Sequence, residues 1–365
     1  MKCILHIGTE KTATTTIQEF LHLNRRKLLQ MGYLYTKSAG LRHNCWLTMS
    51  AYEVSRRNNQ TRHRGIYTDE KLLNYQARII RDLKREVDNA KPFQVVVFSS
   101  EHIQSHLTKS SELSRLKTRL NQLGFEDIDI LVYLRRPVDI ASSLYSTGIK
   151  SGSRAISPPS PKSDNYYRNI CDHQSTLIRF RDVFGDAAIK PRLFDPKEFK
   201  NGNVISDFLD AIGLSHVEKS FEFPSRQNES LSAVGLELLR QVNQQIPMFI
   251  DERPNLLRIN LVHYFEKHFK MGSGYRMPEE LFWHYESEFE EGNEWVRKKY
   301  FPERGCLFSK PTYPDATESI FRKDELESMA KMIANMWLDK QRMPSSRVER
   351  AIYYIKQWAK TTLFT

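Results

Sequence analysis

Long hydrophobic runs are missing from this chain of 365 residues, and no apolar stretch approaches the roughly 18 that span a bilayer. A membrane-spanning helix is therefore not expected. Cysteine is scarce: Cys3, Cys45, Cys171 and Cys306 lie far apart without a CxxC pair. That suggests neither a disulfide framework nor a structural zinc site. The start, MKCILHIGTEK, has no basic segment followed by a long apolar one, so it does not read as a secretory signal and the expected location is cytoplasmic. Internal repeats are lacking as well. Aromatics are not lacking: 20 Phe, 16 Tyr and 5 Trp argue against disorder. Acidic charge is in deficit, with 44 Asp+Glu against 55 Lys+Arg and a net charge of +11. The excess directs attention to anionic ligands, whether nucleic acid, an acidic membrane surface or a phosphorylated small molecule.

What is present alternates. Residues 2–8 (KCILHIG), 94–99 (QVVVFS) and 128–134 (IDILVYL) are near-continuous apolar runs of the kind that form parallel strands covered on both faces. A fourth run, 189–194 (IKPRLF), carries Pro191 and belongs at a sheet edge. Helical periodicity falls over 15–31, 69–90, 110–123 and 137–150. The alternation predicts an α/β fold with a doubly wound, mostly parallel sheet and a ligand site beyond the carboxyl ends of its strands. From about residue 203 the pattern turns helical, over 203–212, 232–246, 255–269, 277–291, 323–340 and 346–362. The expected organisation is a 1–220 α/β core with a helical portion, 221–365, packed on it as a single compact domain. Between the two lies a Ser-, Pro- and Gly-rich stretch, 151–165, that reads either as a plain mobile loop or as a lid.

The segment after the first strand runs Gly8-Thr9-Glu10-Lys11-Thr12-Ala13-Thr14-Thr15-Thr16. A loop joining a strand end to a helix start aims backbone N–H groups and the positive helix end at one spot. The hydroxyls of Thr12, Thr14, Thr15 and Thr16 and the Lys11 amine add donors, which is more than a helix cap requires. The loop is not a Walker A motif, because Lys11 follows Gly8 by three residues and no Gly-Lys-Ser/Thr is present. The third strand leaves the sheet through Arg135, Arg136 and Pro137, with Ser143 eight residues beyond Arg135. Taken alone, the arginines near Asp139 also read as a surface salt bridge. With the first loop they indicate a ligand carrying two separated phosphate-like groups.

The two motifs together resemble the sulfotransferases that use 3′-phosphoadenosine-5′-phosphosulfate (PAPS). The first signature of that family has a Lys-Thr/Ser-Gly-Thr-Thr core, matched here by Lys11, Thr12, Ala13, Thr14, Thr15 and Thr16. The departure is Ala13, where the family has glycine; if that position needs a positive φ, alanine costs about 1 kcal/mol or more. The second signature is an arginine closing a strand and a serine eight residues on, matched by Arg135 and Ser143, with Tyr145 a frequent aromatic. Asn228 to Ser232, Asn260 and the segment from Arg297 to Phe308 look like pieces of bacterial carbohydrate sulfotransferase-like proteins. The resemblance implies a P-loop-like sulfotransferase core, PAPS as co-substrate and a carbohydrate or glycan-like acceptor. It also implies that Lys11 to Thr16 hold the phosphosulfate and that Arg135 and Ser143 hold the 3′-phosphate.

Sulfuryl transfer needs a base for the acceptor hydroxyl and a cation for the leaving oxygen. Lys11 suits the second task. The second strand ends Ser99-Ser100-Glu101-His102, and family members place a glutamate or histidine there. Glu101 is the first choice as base and His102 the second. His102 and His106 also have the spacing of a metal pair, but no third ligand is evident, so no metal is expected. Residues 42–64 combine Arg42, Arg56, Arg57, Arg62 and Arg64 with His43, Trp46, Tyr52 and His63 against one acid, Glu53. This reads as a site for an acidic glycan or as a solvated basic face. RNP, KH and zinc-knuckle signatures are absent, which disfavours nucleic acid. The competing functions are a P-loop-type kinase or NTPase, and a non-catalytic glycan or RNA binder that keeps the cradle.

Overall fold

The computed structural model describes residues 1–225, 231–250, 253–255, 258–270, 273–313 and 323–341, with a few more between 349 and 356. The chain gathers into two compact units. The first comprises 1–140, 160–227 and 284–310, and the second 141–159, 228–283 and 311–365.

In the first unit five strands form one parallel sheet: β1 (Lys2–His6), β2 (Tyr33–Tyr35), β3 (Val95–Ser99), β4 (Asp127–Leu134) and β5 (Ile189–Leu193). Their order is β2-β3-β1-β4-β5, so β1 lies between β3 and β4. The apolar runs are continuous because each strand is covered twice. Cys3, Leu5, Val96, Phe98, Ile130 and Val132 face one layer, while Ile4, Val97, Leu131 and Tyr133 face the other, the period of two that a strand imposes. On the first face lie the helices Asp69–Ala90 and Ser110–Gln122, through Leu72, Ile79, Leu83, Leu113, Leu116 and Leu120. On the second lie Thr14–Leu23 and Val204–Ala211, through Ile17, Phe20, Leu21, Phe208 and Leu209. Each such fully buried side chain contributes roughly 1.5–3 kcal/mol. The helix after β1 packs on one face and those after β3 on the other. That puts the reversal of winding beside β1, where an open α/β sheet leaves a crevice.

The helix Asp69–Ala90 begins at Thr68, whose hydroxyl accepts from the Lys71 N–H at 3.3 Å, with Asp69 and Glu70 in the first turn. It stops at Lys91, which precedes Pro92 and is held extended. β5 is an edge strand carrying Pro191, as its sequence indicates. β2 is too short to read from its three residues. The stretch 15–31 is two helices, Thr14–Leu23 and Arg25–Gln30. Between them Asn24 turns its side-chain amide back onto the Phe20 carbonyl at 2.9 Å, in competition with the backbone ladder. Similarly, 277–291 divides into Glu279–Glu288 and the start of Glu290–Tyr300.

In the second unit Tyr145, Ile149, Leu236, Leu239, Phe265, Phe269 and Met332 make a separate core. The helices Ala233–Gln245, Leu261–His268 and Lys323–Gln341 supply most of it. The expected helix 346–362 falls largely outside the described residues, as do Asn228 to Ser230. Among the described residues no helix is long and apolar enough to cross a membrane.

Candidate active site

The loop after β1 is shaped by backbone before side chains act. Gly8 has φ 99°, and a Cβ there would stand 3.0 Å from the Glu101 Cβ, so only glycine allows β1 to end this close to the end of β3. Lys11 and Ala13 take φ values of 66° and 55°, both left-handed. Ala13 is the N-cap of the helix Thr14–Leu23, whose first hydrogen bond runs from Ile17 N–H to the Ala13 carbonyl at 3.1 Å. No described side chain caps that helix and no acid lies in its first turn, so none of its own first-turn side chains offsets its positive end. The threonines are therefore not a redundant cap.

The hydroxyls divide. Thr12 is fully buried and donates to the Thr9 carbonyl at 2.7 Å, so its hydroxyl braces the loop. Thr14 is buried, Thr16 half-buried and Thr15 exposed. Backbone bonds from Thr9 N–H to the Tyr133 carbonyl (3.1 Å) and from Tyr133 N–H to the Gly8 carbonyl (2.7 Å) fasten the loop to β4.

The neighbouring strand ends flank this loop. From β4, Arg135 Nη1 donates to the Lys11 carbonyl at 2.8 Å, and the guanidinium lies 5.5 Å from the centre of the Phe194 ring. His173 Nε2 donates to the Arg135 carbonyl at 2.7 Å and fixes that backbone. Burial lowers the Arg135 pKa, with Asp139 opposing the shift; a cation so placed gains from a nearby anion. Arg136 donates instead to Ser309. Ser143 is half-buried nearly two turns into the helix Pro137–Lys150, within the second unit.

From β3, Glu101 lies beneath Gly8, and its Oε2 accepts from Gln18 Nε2 at 2.7 Å. Burial pushes its pKa up, but His102, its own backbone N–H, Gln18 and His43 together hold it below the usual carboxylate range. His102 begins a short helix, His102–His106, and its ring stacks on that of His106 with centroids 4.5 Å apart. Burial, with His102 and Arg56 nearby, pushes the His106 pKa down to about 3. The structure adds a residue that the sequence pattern did not single out. Glu10, one position before Lys11, places a carboxylate oxygen within 4.8 Å of ligand nitrogens of both His102 and His106. Its separation from them along the chain left no local spacing by which to find it.

The arginines of 42–64 are largely committed to protein partners. Arg56 makes a paired contact with the buried Glu112 at 2.8 and 2.7 Å, and Arg57 bonds Asp69 at 2.6 Å. Arg42 reaches Glu19 at 3.4 Å, and Arg64 bonds Gln60 at 3.0 Å. The basic run thus serves to knit the first unit together, which neither of the two sequence readings anticipated. The stretch 151–165 is tied down within the second unit at its start. Tyr145 donates to the Ala155 and Ile156 carbonyls, and Asn243 donates to Ser153, while the Ile156 side chain is 79% exposed. Beyond the stretch, Tyr166 donates to Glu10 Oε2 at 2.7 Å. Of the weaker family-like segments, Asn260 has φ 66° before the helix Leu261–His268, and Arg297 bonds Glu294 at 2.7 Å.

No protein-family model matches this chain. An uncharacterized protein of Archaeoglobus fulgidus is 31% identical over 124 residues, which is 34% of this chain and 33% of that protein. The match thus spans about a third of the curated relative's length. The crystal structure of a sulfotransferase from Alicyclobacillus acidocaldarius overlaps 71% of this chain and 95% of its own, at 18% identity and a TM-score of 0.36.

Proposed function

We propose that this chain transfers the sulfuryl group of PAPS to a hydroxyl of a carbohydrate or glycan-like acceptor. The observation that carries the reading is the strand order. With β1 between β3 and β4, the Lys11–Thr16 loop is flanked by Glu101 on one side and Arg135 on the other. An anion-binding cradle, a carboxylate and a second cation therefore meet at the carboxyl ends of the three central strands. That is the set an in-line transfer requires.

In this reading the cradle N–H groups and Lys11 hold the 5′-phosphosulfate, and Arg135 takes the 3′-phosphate. The acceptor oxygen forms a bond to sulfur as the bond from sulfur to the 5′-phosphate oxygen breaks. Adenosine 3′,5′-bisphosphate leaves with the electron pair, its oxygen stabilised by Lys11 and the uncapped helix end. Glu101, ionised at neutral pH, receives the proton that the acceptor hydroxyl loses. His102 is the second candidate for that step.

Isothermal titration with adenosine 3′,5′-bisphosphate tests the assignment. Wild type should bind, and Arg135→Ala should weaken binding by about tenfold or more, because a charge-assisted contact contributes roughly 1.5–3 kcal/mol. Unaltered affinity in Arg135→Ala would remove the 3′-phosphate from this site.

A further inference from the structure

We propose that Glu10, His102 and His106 form a binding site for a divalent first-row transition-metal ion. Each offers one ligand atom, and these atoms lie within 4.8 Å of one another. The two histidines stand one helical turn apart on one face, their rings stacked at 23° so that their edges lie side by side. Glu10 approaches from the loop after β1, all three residues belonging to the first unit.

The surroundings prepare these atoms for a ligand. Tyr166 donates to Glu10 Oε2 at 2.7 Å, while Glu10 Oε1 is buried and has no hydrogen-bond partner among the described residues. A buried carboxylate oxygen without a donor is an uncommon feature, and a cation satisfies it. His106 has its Nδ1 2.6 Å from the Tyr52 hydroxyl, which itself accepts from Asn58 Nδ2 at 3.2 Å. That leaves Nε2 as the coordinating nitrogen, with Nδ1–H donating to the Tyr52 oxygen. Such outer hydrogen bonds orient metal ligands and fix the imidazole tautomer. Two imidazoles and one carboxylate suit Zn²⁺ and its neighbours, not the oxygen-seeking Mg²⁺ or Ca²⁺, and leave a coordination position open. On the sulfotransferase reading, on which this one consequence rests, an occupied site removes His102 from proton transfer and leaves Glu101 as the base.

The full-length chain, stripped with a chelator, would be titrated with Zn²⁺ against a chromophoric competitor and separately loaded with Co²⁺. One Zn²⁺ per chain is expected, together with a visible Co²⁺ absorption band. His106→Ala and Glu10→Gln should each weaken Zn²⁺ binding by about tenfold or more and abolish or shift that band, and Tyr52→Phe should weaken it by about tenfold. Glu10→Gln keeps the side-chain shape, and circular dichroism establishes that each variant is folded. Absence of stoichiometric binding, or the same affinity and spectrum in folded His106→Ala and Glu10→Gln, would overturn the site. Titrating the metal-free protein with adenosine 3′,5′-bisphosphate tests the nucleotide reading separately.

Discussion

Replacing Ala13 by glycine should stabilise the protein. Ala13 caps the cradle helix with φ 55° and ψ 29°, a left-handed conformation that its Cβ disfavours. The steric term is about 1–2 kcal/mol for an L-residue. Glycine removes it but adds freedom to the unfolded chain, which returns about 0.5–1 kcal/mol. The net gain is about 0.5–1 kcal/mol. In a chain of 365 residues that amounts to a rise in Tm of about 1 °C. Urea unfolding and thermal melts of Ala13→Gly against wild type read the sign directly. Ala13→Val supplies the opposite arm, because a β-branched residue fits positive φ worse than alanine and should cost more than the glycine gains. If Ala13→Gly instead loses about 1 kcal/mol, as glycine does inside an ordinary helix, the left-handed cap is refuted. Tolerance of Ala13→Val would refute it equally.

Two further outcomes concern the frame around the cradle. His6 is fully buried under Tyr133 and Phe208, bonds Ser99 at 2.8 Å, and has its pKa pushed down to about 4 by burial. The unfolded chain takes up a proton near pH 6.5 while the folded one does not, so stability falls between about pH 6.5 and 4 and this contribution levels off below that. His6 should account for about 3 kcal/mol of the loss. Urea titrations should show a steeper acid decline in wild type than in His6→Gln, and equal slopes would refute the assignment. Glu112, fully buried, is the carboxylate that neutralises Arg56, so Glu112→Ala strands a half-buried guanidinium. Unfolding should show a loss of about 2–4 kcal/mol, reduced below the cost of a fully buried pair because Arg56 keeps some solvent. A loss under about 0.5 kcal/mol would reduce the pair to a surface contact.

Much of the sheet was legible because burial on both faces leaves a strong local mark. The runs at 2–8, 94–99 and 128–134 became β1, β3 and β4, and Pro191 marked β5 as an edge. The three residues of β2 are too few to carry a period. The strand order was not legible, since pairing of β1 with both β3 and β4 is a long-range fact, yet it brings Gly8 against Glu101 and Lys11 against Arg135. Ala13 could be marked as a departure from a motif; its left-handed backbone gives the physical reason that glycine suits the place. The partners of the arginines in 42–64 were not legible because composition reports charge and not pairing: Glu112 and Asp69 lie outside the segment they neutralise. Glu10 escaped for a related reason. Its neighbours His102 and His106 are brought to it by the sheet.

On the proposed function, the two strand-end motifs hold one nucleotide with a phosphate at each end. The direct test is a side-by-side titration of the full chain with adenosine 3′,5′-bisphosphate, adenosine 5′-monophosphate and magnesium ATP. The bisphosphate should bind without magnesium and about tenfold or more tighter than the monophosphate, the difference one charge-assisted phosphate contact provides. Equal affinity for bisphosphate and monophosphate, or tight magnesium-dependent binding of ATP alone, would contradict it.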